Sequence, residues 1–152
     1  PAMTLFDVDG AAPLEPLAVA AARAIVAAIR RHGIGGSIGI DFPTLTGKPA
    51  RAAVAAMIDA HLPQPFERTA VNGFGFMQIV RPRPRASIPD ILRADPVAAA
   101  ARAALRTLER IPPGAPRAMR LPAPVLAYLA DRPTWLAELA RRTGVEPQLE
   151  CA

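Results

Sequence analysis

The chain has 152 residues, 51% of them hydrophobic, which allows a real core and excludes a disordered segment despite 18 prolines. Its net charge is +5, almost all of it arginine, with Lys48 the only lysine. That balance favours polyanionic partners, because the guanidinium fork suits phosphate, although a GC-rich gene also enriches Ala, Arg and Pro together. Cys151 is the only cysteine, so no internal disulfide and no Cys-x-x-Cys zinc site can form, and a reducing cytoplasm is the expected setting. Arg23, Arg30 and Arg31 interrupt the best apolar stretch, so no membrane span is expected, and no signal peptide is visible. Pro1 stands almost directly before a buried-type strand, which reads as the cut end of a longer protein.

Thr4 to Asp7 reads as a strand, and Asp9-Gly10 turns the chain. Leu14 to His32 has helical spacing, with Leu17, Ala21, Ile25 and Ile29 predicted to form its buried face and Gly33 or Gly35 to cap it. Ser37 to Asp41 is the second strand. A helix from about Thr46-Gly47-Lys48-Pro49 to His61 follows, with Val54, Met57, Ile58 and Leu62 inward. Arg68 to Asn72 and Phe76 to Val80 form a hairpin across Gly73 and Gly75. Arg81-Pro82-Arg83-Pro84-Arg85 breaks the pattern. The predicted organisation is an α/β region at 1–85, a linker at 86–96 and a small α/β subdomain at 97–152. In that subdomain Val97 to Arg110 is a helix, Arg117 to Leu121 a strand, and Val125 to Leu129 and Trp135 to Arg142 are short helices. Val145 to Cys151 is an edge strand, and Tyr128 and Trp135 belong to the core.

Strand, helix, strand is a βαβ unit, whose strands are parallel and adjacent. Asp7 and Asp41 then meet at the carboxyl ends of neighbouring strands, where open α/β sheets place ligands. Two carboxylates so placed repel unless a cation lies between them, and a divalent-metal site is the reading, with Asp9 close by. Either aspartate alone would more simply start a turn. Arg81, Arg83 and Arg85 either track a phosphate backbone or line a solvated linker. For Phe74 and Phe76, core packing is the expected role, with base stacking by one of them as the functional alternative. His32 and His61 read as solvated or capping residues, and Thr46-Gly47-Lys48 lacks the glycine spacing of a P-loop.

Three segments resemble the ribonuclease E/G family. Gly35-Gly36-Ser37-Ile38-Gly39-Ile40-Asp41-Phe42 resembles its Gly-Gly-x-Ile-x-Ile-Asp-Phe segment, and Phe6-Asp7-Val8-Asp9-Gly10 its first catalytic strand. Asn72 to Arg83 resembles its Phe-Gly-Leu-x-Glu-x-x-Arg-x-Arg segment, and Arg120 to Leu129 its closing Pro-x-x-x-x-x-Tyr-Leu stretch. The resemblance implies a DNase I-like catalytic region cutting single-stranded RNA with Mg²⁺, or Mn²⁺, and leaving 5′-phosphate products. Asp7 and Asp41 match the metal-holding aspartates, and Asp9 stands where an asparagine usually assists at the scissile phosphate. Lys48, Phe74, Arg81 and Arg83 are the expected RNA contacts.

Departures from the family pattern are Asp9 for Asn, Ala18-Val19-Ala20 for Asn-Leu-Glu, and Gln78 for Glu. The zinc-link cysteines are missing, so any homo-oligomer is expected without a zinc link, and the S1 and 5′-sensor modules are absent from this chain. The alternatives are a non-catalytic RNA-binding homologue and a haloacid-dehalogenase-type phosphatase. Phe6-Asp7-Val8-Asp9-Gly10 resembles the opening motif of that phosphatase, but Ala11 stands where Thr is usual and no late acidic pair follows.

Overall fold

The computed structural model describes residues 2–152, which divide into two compact units on either side of the Asp90–Ile91 bond. The first unit opens with β1 (Thr4–Asp7), α1 (Leu14–His32) and β2 (Gly36–Asp41), and β1 and β2 are parallel neighbours. Helix α2 (Lys48–His61), β3 (Glu67–Arg68) and β4 (Phe76–Arg81) complete it. The sheet order is β1-β2-β4-β3, with β4 antiparallel to both its neighbours, so β1 and β3 are the edges. This is the mixed α/β sheet with an N-terminal βαβ unit that the sequence implied.

The pleat sorts the side chains. Ile38 and Ile40 of β2 and Met77 and Ile79 of β4 are buried with Ile25 and Ile29 of α1 and Val54 and Ile58 of α2. Both helices therefore cover one sheet face. The alternate residues form an open face, where Leu5 is 60% and Val80 51% exposed. Gly39 lies within that face, and a Cβ there would come within 2.9 Å of both Met3 Sδ and Phe76 Cζ.

Three local expectations are corrected. The buried stripe of α1 runs through Ala18, Ala22, Ile25, Val26 and Ile29, one step round from the predicted face. Leu17 and Ala21 are only half-buried, and Leu17 packs where a side chain at Gly10 would otherwise sit. β3 stops after two residues, because the Thr69 hydroxyl accepts the Gln78 N–H at 3.0 Å in place of a backbone carbonyl. The pairing continues only as Thr69 N–H to the Gln78 carbonyl and Asn72 N–H to the Phe76 carbonyl, each 2.9 Å. Residues 86–96, expected as a linker, contain α3 (Ile88–Ala94). Ser87 and Asp90 bond reciprocally at its start, the Ser87 hydroxyl donating at 2.7 Å and accepting the Asp90 N–H at 3.2 Å. The Ser87 hydroxyl, and the Ser87 N–H at 3.0 Å, both donate to the Asp90 carboxylate and hold it below its ordinary range.

The second unit contains α4 (Pro96–Glu109), β5 (Ala118–Leu121), α5 (Ala123–Ala130), α6 (Pro133–Thr143) and β6 (Gln148–Cys151), with β5 and β6 parallel. Asp95 caps α4 by accepting the Ala98 N–H at 2.9 Å. Ala101, Leu121, Val125 and Leu129 form a separate core, with Tyr128 and Trp135 packed against it. Among the described residues, no helix is long and apolar enough to cross a membrane.

Candidate functional site

Asp7 and Asp41 are direct partners in the parallel register of β1 and β2. Parallel neighbours stand about 4.8 Å apart and point matching side chains to the same face. Phe6 and Ile40, one step earlier, turn toward the helices, so the two aspartates turn to the open face, where both are exposed. Backbone bonds fix this end of the sheet from both sides. Val8 N–H donates to the Asp41 carbonyl at 3.0 Å, and Phe42 N–H donates to the Gly75 carbonyl at 3.2 Å. Gly75 has φ +101°, and a Cβ there would be driven into the Phe42 carbonyl oxygen, so only glycine lets the hairpin lie this close.

Asn72 shapes the same hairpin. Its side-chain oxygen accepts N–H bonds from Phe74 at 2.9 Å and Phe76 at 3.0 Å, an Asx turn closed by Gly75 N–H on the Asn72 carbonyl at 3.2 Å. The turn thrusts Phe74 outward until it is 85% exposed, which overturns the core-packing expectation for that residue. Phe76 packs half-buried, opposite Asp41 in register. The role of Asn72 was missed in the sequence, although Asn72-Gly73 is itself a turn signal.

Among the described residues, none of Asp7, Asp9 and Asp41 is held in an ion pair with a basic side chain. The site is thus a local concentration of uncompensated negative charge. Among the described residues, no three His, Cys, Asp or Glu side chains are grouped as a metal cage. Two exposed carboxylates with oxygen donors only are nonetheless a suitable set for Mg²⁺, which binds through one or two carboxylates and keeps several waters. Gln78 lies on the same face two residues along and donates to the Ser37 hydroxyl at 3.0 Å.

The four expected RNA contacts fall into two groups. Lys48 begins α2, a short loop beyond the Asp41 end of β2 where Phe74 also lies, but α2 covers the sheet face opposite the one to which Asp41 turns. It lines a groove with Arg51 and Arg68. Arg51 is committed to the Leu45 carbonyl at 3.0 Å, and Arg68 to Asp59 through both oxygens, with Nε to Oδ1 at 2.7 Å. That fork lowers the Asp59 carboxyl and raises the Arg68 guanidinium, so among the described residues Lys48 is the cation of this groove not engaged by the fold. Arg81 lies opposite Gly36, at the other end of β2, and Arg83 donates to the Gly35 carbonyl at 3.3 and 3.2 Å. These two stand about a strand length, roughly 17 Å, from Asp41.

No protein-family model matches this chain, and no curated protein matches it.

Proposed function

We propose that this chain is the catalytic region of a ribonuclease E/G-like endoribonuclease, a metal-dependent hydrolase that processes single-stranded RNA to 5′-phosphate products. The reading rests on one observation above the others, the in-register exposure of Asp7 and Asp41 at one end of a βαβ unit. The motif resemblance of the three segments supports it.

Asp7 and Asp41 would hold Mg²⁺, with Mn²⁺ as substitute, and the ion would supply charge neutralisation at the phosphodiester and acidity to a water. Asp9, exposed on the loop beyond β1, assists as a hydrogen-bond acceptor for the attacking water. Phe74 offers a ring face for one base, and the Lys48 ammonium offsets phosphate charge. Water adds to phosphorus as its proton passes to Asp9, and the P–O3′ bond breaks with the 3′ oxygen leaving as a hydroxyl protonated from solvent. The compartment we propose is the cytoplasm, consistent with the free thiol of Cys151.

The test is Mg²⁺-dependent cleavage of a labelled, 5′-monophosphorylated single-stranded RNA. Asp7→Asn and Asp41→Asn each lower the rate at least a hundredfold while the circular dichroism spectrum is unchanged. Cleavage that persists in both variants would sink the assignment. RNA affinity without turnover in either metal would instead identify a non-catalytic RNA-binding homologue. Phe74→Ala raises KM about tenfold with kcat nearly unchanged, as expected for losing one stacked base.

A further inference from the structure

Where α1 ends and β4 leaves the sheet, the first unit holds a cleft of about 420 Å³ between Ile29, Ile34 and Pro82, with Arg30, Arg81 and Arg85 around it. No carboxylate lines it, and none of these three arginines is in an ion pair among the described residues. The Arg81 Nε is buried and has no hydrogen-bond partner. A buried, charged donor without an acceptor is costly, which favours turning this guanidinium toward an acceptor offered in the cleft.

The arginines are not explained by the end of α1. Basic groups do favour a helix C-terminus, but here the Arg30 carbonyl already accepts the Gly33 N–H at 3.4 Å and the Ile29 carbonyl the Ile34 N–H at 3.0 Å. The neighbouring Arg83 shows what a structural arginine looks like in this segment: it grips the Gly35 carbonyl with two donors. Arg81 makes no such bond through Nε.

We propose that this cleft binds a phosphate group carried on a nucleoside-sized body. Three arginines lining one cleft with no acid among them favour phosphate by charge and by paired hydrogen bonds. Ile29, Ile34 and Pro82 give an apolar wall for a base or sugar, and the volume lies in the range of small-ligand sites. The ligand is either a free nucleotide or one nucleotide unit of an RNA strand. The site is separate from the aspartate pair. Arg81 extends on the helix-covered side at the Gly36 end of β2, whereas Asp41 lies at the opposite end on the open face.

The test is calorimetric titration of the full chain, without divalent metal, against AMP, adenosine and a 5′-hydroxyl hexaribonucleotide. AMP binds with a submillimolar Kd and adenosine at least tenfold more weakly. Arg81→Gln and the exposed Arg30→Gln each weaken the phosphate ligands at least fivefold, and Asp7→Asn leaves them unchanged. Oligonucleotide binding at least tenfold tighter than AMP, with that advantage lost in Arg81→Gln and kept in Phe74→Ala, identifies an RNA strand as the cleft's ligand; otherwise a free nucleotide is the ligand. The proposal is overturned if neither phosphate ligand binds, or if binding survives both arginine substitutions in folded protein. Loss of cleavage in Asp7→Asn with AMP binding intact keeps the two sites distinct.

Discussion

Gly75 positions the candidate catalytic end of β2 without a side chain of its own. Its N–H bonds Asn72, its carbonyl bonds Phe42, and its φ of +101° leaves no room for a Cβ beside the Phe42 carbonyl. Gly75→Ala therefore combines a strained dihedral with a backbone collision, and the expected loss is about 2–4 kcal/mol. Urea denaturation measures it, and wild-type stability in the variant would show that the approach is not tight. Phe42 follows Asp41 directly, so the cleavage we propose would fall with stability. The two aspartates were legible in the sequence because each ends an apolar run before a turn. Phe74 was misread for a physical reason. A Phe-Gly-Phe run fits strand alternation, and only the two N–H bonds to Asn72 show that the chain turns there.

At the level of elements, the βαβ unit could be read because strand and helix periods separate cleanly between Thr4 and Asp41. The face of α1 could not, since Ala at 18, 20, 21, 22 and 24 makes several neighbouring stripes equally apolar. Packing under β2 selects one of them. Helix α3 was hidden by Pro84 and Pro89, yet Pro89 falls in its first turn, where a missing N–H costs nothing, and Ser87 with Asp90 starts it. Helix α6 carries a titratable clamp. Glu138 accepts from Arg141 Nε and Nη2, both at 2.7 Å, and from Arg142 Nε at 2.8 Å, and these bonds lower its carboxyl to about 2 from 4.5. A carboxyl depressed on folding stabilises fully above its unfolded value, and that contribution is lost as pH falls from about 4.5 toward 2. Thermal melts followed from pH 5 to pH 2 therefore fall more steeply for wild type than for Glu138→Gln. Parallel curves would mean that solvent screens the clamp away.

On the scale of the whole molecule, the two units hold independent cores, one around Ile38, Ile58 and Ile79 and the other around Leu121, Val125 and Leu129. The second core is much the smaller, and small units leave little margin. Leu129→Ala, at a fully buried position, costs about 2–5 kcal/mol. It lowers the unfolding midpoint of the second unit, while Ile58→Ala lowers that of the first. Two-phase urea curves shifted one phase at a time are the expected record; a single phase moved equally by both variants would refute independence. The proline-rich stretch after Arg81 reads as ending the first region at 85, whereas the two compact units divide between Asp90 and Ile91. The separation of the four expected RNA contacts to opposite ends of the sheet was not legible, because strand direction and register are long-range facts.

Strand β1 is an edge, four residues long, bonded on one side only, and it carries Asp7. Edges are where native sheets fray first. An ion shared by Asp7 and Asp41 would have to release one carboxylate before β1 could peel from β2, so each opening of the edge would carry the cost of unbinding. The Val8 amide, bonded to the Asp41 carbonyl, is the reporter of that event. Its exchange with solvent deuterium would slow in proportion to how tightly the pair is held, making a chemical property of two side chains readable as the lifetime of one backbone bond.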